Sequence, residues 1–221
     1  MMLAHIDFKS KKALLISLPR DIWVKVPTKD NSDFYNKINA VYQMELSPKN
    51  YPDVQDSYKQ KQEVGGLIKA IVGQITGLKI DNFIAVDFDS FKKGIDVLGG
   101  ITINVDKAFE DPEYPIDGKE IDLCGKDEQF KQIEPFLKPG YNEEDKKKLF
   151  EEHPELEEFY NNITEKPYLA FPCRYETLKF EAGKQFMNGE TALKYVRSRN
   201  SETDGGDFNR GRRQQTFVNA L

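Results

Sequence analysis

Two short apolar runs flank a helix-like segment, and this pattern limits the fold more than any other stretch. Residues 80–87 (IDNFIAVD) and 101–105 (ITINV) read as strands. Residues 88–98 between them have helical composition and close on Gly99 and Gly100. Strand, helix and strand in so short a span predict a crossover unit joining neighbouring strands, and hence an α/β protein. Asp87 and Asp89 fall at the strand-to-helix junction, where a metal or an arginine can be served. Capping the helix N-terminus is the more frequent role for such residues.

The same logic extends to both sides. Residues 1–7 (MMLAHID) and 13–18 (ALLISL) predict two paired strands, the second ending at Pro19, which cannot continue a central strand. Arg20 and Asp21 then sit just past a strand end, where open sheets place ligand groups. A surface Arg–Asp pair is the plainer reading. Residues 22–50 read as loop and short helix. Residues 56–77 predict a helix with Val64, Leu67, Ile68, Ile71, Val72 and Ile75 as its apolar stripe and Gly77 as its stop. Residues 106–176 change character, being rich in Lys, Glu, Asp and Pro, with a charged helix around 142–159. They read as an excursion from the core sheet. Residues 177–180 predict a short strand and 183–187 a turn.

At 221 residues the chain reads as one domain over 1–221. Mean hydropathy is −0.65, but aromatics at 12% argue against disorder. The net charge of −5 excludes a nucleic-acid binder held by bulk charge, so any anion site must be local. No apolar run approaches the ~20 residues of a membrane span. The two cysteines, Cys124 and Cys173, fit no metal-binding spacing, and His5 and His153 are the only histidines. The cysteines lie toward the two ends of the polar excursion. Either they form a disulfide in an oxidising compartment or they are two free thiols.

Residues 195–215 (YVRSRNSETDGGDFNRGRRQQ) carry five of the seven arginines: Arg197, Arg199, Arg210, Arg212 and Arg213. Lysine serves elsewhere, and the two are not equivalent. Arginine offers a planar fork that holds phosphate or carboxylate bidentately. Asn188 predicts an N-cap, followed by a helix over 190–198 with Ala192, Leu193 and Val196 buried. Residues 201–207 read as a polar loop holding Asp204 and Asp207. A second helix opens near Asp207, with Phe208, Gly211 and Phe217 or Val218 facing inward, and Arg210, Arg213 and Gln214 on one face. Such an array either grips an anion or is a solvated charged surface.

Five blocks then carry a resemblance: LLISLPRD, KINAVY, ITGLKIDNFIAVDFDSFKKGIDVLGGITINV, F-x-G-x-x-x-M-N-G-E-x-A-L-x-Y-V-R-x-R and D-F-x-R-x-x-R-Q-Q. Their order and spacing resemble the LytR-CpsA-Psr family over residues 1–105 and 178–221, leaving the excursion unmatched. The resemblance implies a three-layer α/β/α sandwich with a central mixed sheet, on the outer face of the cell membrane behind an N-terminal membrane helix. It implies a Mg²⁺-dependent phosphotransferase that moves a glycopolymer from a polyprenyl-pyrophosphate carrier to peptidoglycan. By motif, Arg20, Arg197, Arg199, Arg210 and Gln214 would hold the pyrophosphate, with Lys37 and Asp89 as weaker matches. Asp207 would sit among the arginines, orienting them or assisting the metal. An oxidising compartment favours the Cys124–Cys173 disulfide.

The family's metal-binding acids precede the first strand, in a pattern like S-D-x-M-(M/I)-L, whereas this chain begins Met1-Met2-Leu3. The expectation is a chain cut short at both ends, with those acids and the membrane helix upstream of Met1. The alternative function is a non-catalytic module that binds polyprenyl pyrophosphate or an anionic polymer. Mg²⁺-dependent turnover separates the two.

Overall fold

The computed structural model describes residues 1–55 and 65–221. They form two compact units, residues 1–99 with 211–221, and residues 100–210.

The first unit opens with a hairpin. Strands β1 (Met2–Asp7) and β2 (Lys12–Ser17) pair antiparallel, Met2 opposite Ser17. Asp7 closes the turn by accepting from the Lys9 amide at 2.9 Å and the Ser10 hydroxyl at 2.7 Å. A second, unexpected ladder joins β3 (Trp23–Lys25) to β4 (Tyr35–Lys37), which leads directly into α1 (Ile38–Leu46). These strands are three residues each, too short for a period-two pattern to be read. The helix α2 (Gly66–Thr76) ends at Gly77 with φ 71°, the left-handed stop expected there. Leu67, Ile68, Ile71 and Val72 are buried with Val24, Val26, Ile38 and Val41, so the helical stripe is core. Ile75 departs from the stripe and is exposed. The predicted start of this helix, including Val64, lies outside the described residues.

Helix α3 (Phe88–Val97) follows, and Asp87 caps it by accepting from the Ser90 amide at 2.7 Å. Capping is thus its role, and Asp89 pairs with Lys92 at 3.1 Å. Residues 80–87 are not a strand. Among the described residues their backbone has no ladder, and Ile84 is 83% exposed. An apolar alternation favours extended backbone, but a strand exists only through its partner's hydrogen bonds. The segment is held instead by Phe83, whose ring lies 5.2 Å from that of Tyr42. The same ring sits where a Cβ on Gly65 would be, and Gly65 has φ 98°.

In the second unit β5 (Ile101–Val105) pairs antiparallel with β8 (Gly183–Met187). The expected turn at 183–187 is therefore a strand, and the expected crossover partner of β5 is replaced by a residue run far along the chain. Strand β6 (Phe109–Pro115) pairs antiparallel with β7 (Tyr175–Phe180), with a register shift between Asp111 and Tyr114. The predicted helix at 142–159 is two helices, α5 (Glu143–Glu152) and α6 (Pro154–Glu165). Pro154 lacks the amide hydrogen that a continuous helix needs, so it starts a new one. With α4 (Asp127–Ile133) and α7 (Pro167–Ala170) they enclose a core of their own, built on Ile133, Phe150, Leu156, Phe159, Ala170 and Phe171. Cys124 and Cys173 form a disulfide that ties this helical segment at its ends.

Helix α8 (Gly189–Arg197) is capped by Asn188, which accepts from the Thr191 amide at 2.9 Å. Its buried face is the expected Ala192, Leu193 and Val196, joined by Tyr195. The chain then enters α9 (Gly206–Ala220), whose first turns belong to the second unit and whose remainder belongs to the first. The α/β class is as expected, and among the described residues the strands form four two-stranded antiparallel ladders.

Candidate functional site: an arginine-bearing loop pinned on a buried carboxylate

The residues 198–206 join α8 to α9. Asp111 on β6 is 1% exposed, and its carboxylate organises this loop. Oδ2 accepts from the Ser198 hydroxyl at 2.6 Å, the Arg199 amide at 3.0 Å and the Asn200 amide at 3.1 Å. Oδ1 accepts from the Glu113 amide at 3.0 Å. A buried carboxylate with four donors is compensated as a charge, and the donors are fixed in return. The loop carries a second set of bonds. Ser201 Oγ accepts from the amides of Thr203 and Asp204, and the Gly206 amide donates to the Arg199 carbonyl at 2.7 Å. That last bond brings the end of α8 to the start of α9. Gly205 is required there, because a Cβ would stand 2.1 Å from the Ser201 carbonyl oxygen.

Two guanidinium groups beside this loop are held in defined poses, those of Arg197 and Arg210. Arg197 lies over the Tyr114 ring, 5.4 Å from its centroid, and donates from Nη1 to the Tyr114 hydroxyl at 3.1 Å. Arg199 has its amide locked by Asp111. Arg210 reaches back one helical turn to Asp207 at 2.9 Å. Tyr195 fixes the α8 axis below them, its ring meeting the Phe180 ring edge to face at 5.4 Å. The Glu113 carboxyl is pushed above its usual range, first by burial and then by the Asp111 charge, with Arg199 opposing. Burial also raises the Tyr114 phenol, against the pull of Arg197.

In the first unit the Pro19-Arg20-Asp21 turn is tied to α1. The Arg20 carbonyl accepts from the Asn39 amide at 3.2 Å. Asp21 Oδ1 lies 3.0 Å from Lys37 Nζ and 4.0 Å from Arg20 Nε. Lys37 is also the N-cap residue of α1. Arg20 and Lys37 therefore share one carboxylate in a half-exposed cluster. Gln214 lies on the later part of α9. There Gln215 donates to Ser17 Oγ at 3.1 Å, and the Phe217 ring meets Phe91 at 5.0 Å.

Two expectations on α9 change. Phe208 points outward and is 89% exposed, and Arg213 is buried at 2%. The inward stripe runs through Arg213 and Phe217, four residues apart, so Phe208 falls toward the opposite side of the helix. Arg213 is thus a buried group of the helix, separated in environment from Arg210. Sequence reasoning missed Asp111 and Tyr114 altogether. The signal was present: in FEDPEYP a carboxylate occupies the same strand face as Phe109, and a charge at an apolar position demands partners.

For magnesium the donor set is sparse. Among the described residues the one group of three potential metal donors is Asp122, Cys124 and Cys173, and its sulfurs are consumed by the disulfide. Beside the arginines of the second unit stands Asp207, already paired with Arg210. Magnesium commonly takes one or two carboxylates and completes its shell with water and substrate phosphate oxygens. Asp207 fits that limited role, and no protein cage is formed.

An α/β protein with arginines posed at two joined helix ends is the class these features define. The LytR_cpsA_psr family model matches residues 1–221, and the chain belongs to that family. It is 30% identical over 128 residues to the polyisoprenyl-teichoic acid–peptidoglycan teichoic acid transferase TagU of Oceanobacillus iheyensis, covering 57% of this chain and 34% of that protein. It is 24% identical over 223 residues to the corresponding transferase TagV of Bacillus subtilis, covering 100% of this chain and 37% of that one. The chain thus spans about a third of the length of these curated relatives. The crystal structure of B. subtilis TagV superposes with a TM-score of 0.53 at 23% identity, covering 100% of this chain and 54% of that one, which shows the shared fold.

Proposed function

We propose that this chain is the pyrophosphate-handling part of a cell-wall glycopolymer transferase acting at the outer face of the membrane. The carrying observation is that the pinned loop, which carries Arg199, joins two helix ends where Arg197 and Arg210 are already posed on Tyr114 and Asp207. Transfer of a glycan phosphate from a polyprenyl pyrophosphate needs neutralisation of non-bridging oxygens and little covalent help from the protein. Preset guanidinium forks supply that without reorganisation at the moment of reaction. The acceptor hydroxyl oxygen bonds to the sugar-side phosphorus, the bridging P–O bond breaks, and prenyl phosphate leaves. The hydroxyl proton passes to solvent. A bound magnesium, held by Asp207 and pyrophosphate oxygens, would add charge neutralisation. The named activity of the relatives supports peptidoglycan as acceptor.

A second reading is a binding-only module. The occupied state of the nearby carboxylates favours it, since Asp207 is paired with Arg210 and Asp111 is filled by loop donors. Incubation with a short-chain prenyl pyrophosphate, with and without Mg²⁺, separates the two by turnover. Arg197→Lys keeps the charge and loses the guanidinium fork held by the Tyr114 hydroxyl, so it should weaken binding about tenfold, on the order of 1.4 kcal/mol. Unchanged affinity in calorimetry removes Arg197 from the site. For Arg20, Lys37 and Gln214 a phosphate contact is a proposal from the motifs, and binding by their alanine variants tests each.

A further inference from the structure

We infer that a cavity of about 550 Å³ in the second unit is the subsite for an uncharged, hydroxyl-rich glycan, the acceptor strand. This rests on the transferase reading and adds a location and a selectivity to it. The size lies inside the range of ~300–1,000 Å³ typical of ligand sites.

Three parts of the unit meet at this cavity. The end of the β6/β7 ladder contributes Phe109, Glu110, Lys179 and Phe180. Helix α7 of the disulfide-tied segment contributes Tyr168. The arginine-bearing loop contributes Glu202 and Thr203. The loop rim is fixed, since Lys107 Nζ donates to the Thr203 carbonyl at 3.0 Å. A ligand here would therefore touch the loop that carries Arg199 and follows Arg197, and would touch the excursion as well.

Charge decides what can enter. Glu110 and Lys179 neutralise one another at 3.0 Å. Glu181 and Glu202 also line the cavity, and among the described residues neither has an ion-pair partner. Their carboxylates repel a phosphate-bearing polymer. Ionised carboxylates only accept hydrogen bonds, so they select groups that donate them. Sugar hydroxyls and acetamido N–H groups are such donors. Tyr168 and Pro112 offer the apolar surface on which a sugar ring face packs, with the phenol as a polar tip. A neutral amino-sugar glycan satisfies all three features, whereas the phosphates of an anionic donor polymer fail the first.

The probe is a β-1,4-linked N-acetylglucosamine tetramer, titrated calorimetrically into the full chain, with a short-chain prenyl pyrophosphate titrated in parallel. Tyr168→Ala and Glu181→Lys are each expected to weaken tetramer binding at least tenfold and to leave prenyl pyrophosphate binding unchanged. Glu181 is exposed and outside the arginine-bearing loop, so its variant keeps the fold, which circular dichroism verifies. Tetramer binding that is absent from the unaltered chain, or unmoved by both variants, overturns the inference while prenyl pyrophosphate binding leaves the transferase reading standing. Loss of both ligands overturns both.

Discussion

Residues 80–87 and residues 198–206 are close to opposites. The first run is apolar and alternating, and it has the composition of a buried strand. Yet Ile84 and Val86 face solvent, and no ladder holds it. The second is nearly all polar and glycine, and it has the composition of a flexible linker. Yet Ser198, Ser201 and Asp204 are buried and the backbone is bonded at several points. Order in this protein follows satisfied hydrogen bonds, and hydrophobic pattern alone does not secure it. The polar loop carries Arg199 and joins the helix ends that bear Arg197 and Arg210.

The sharpest way to break the contrast is to remove the hub. Asp111→Ala leaves the Ser198 hydroxyl and the Arg199 and Asn200 amides without their acceptor, and should cost at least about 3 kcal/mol in urea unfolding. A loss below ~1 kcal/mol would mean the loop is ordered by something else. Next comes Gly205→Ala, whose methyl meets the Ser201 carbonyl and should cost ~1–3 kcal/mol. Hydrogen exchange in the loop should rise with it, and an unchanged exchange pattern would show that the loop yields freely.

A finer test uses pH. Glu113 has a raised pKa in the folded protein, so the folded state holds its proton more tightly than the unfolded one. Its contribution favours folding at low pH and is lost as pH rises from the ordinary carboxylate range through the raised value. Glu113→Gln should flatten that slope, with an effect at neutral pH of about 0.5 kcal/mol or less. A steeper slope in the variant would reverse the assignment. The smallest effect belongs to the other segment: Ile84→Ser should leave the unfolding free energy within about 0.5 kcal/mol of the parent. A cost above 1 kcal/mol would show that residues 80–87 pack as their composition suggests.

Local signals were legible. Asp87 and Asn188 announce helix starts because a cap and the amides it serves lie within a few residues. The β1/β2 hairpin and the buried face of α8 are periodic over one element and could be read directly. What escaped is long-range. Asp111 meets Ser198 across 87 residues, and β5 finds β8 rather than its sequence neighbour. Nothing within either segment names its partner. The arginines were visible as a cluster, but their poses were not, since these depend on Tyr114 and Asp207. Arg213 shows the cost of counting charge alone, for it belongs to the buried side of its helix.

The disulfide has a consequence for how this domain can change over generations. The helical segment leaves and rejoins the chain at Cα atoms 5.5 Å apart, although 49 positions separate them. Insertions, deletions or wholesale replacement between the two cysteines need not displace β6 or β7, provided the new piece returns to the same point. The segment also closes its own core, so a substitute need bring only a core of its own. A gene can therefore trade this cassette while the arginine loop stays as it is.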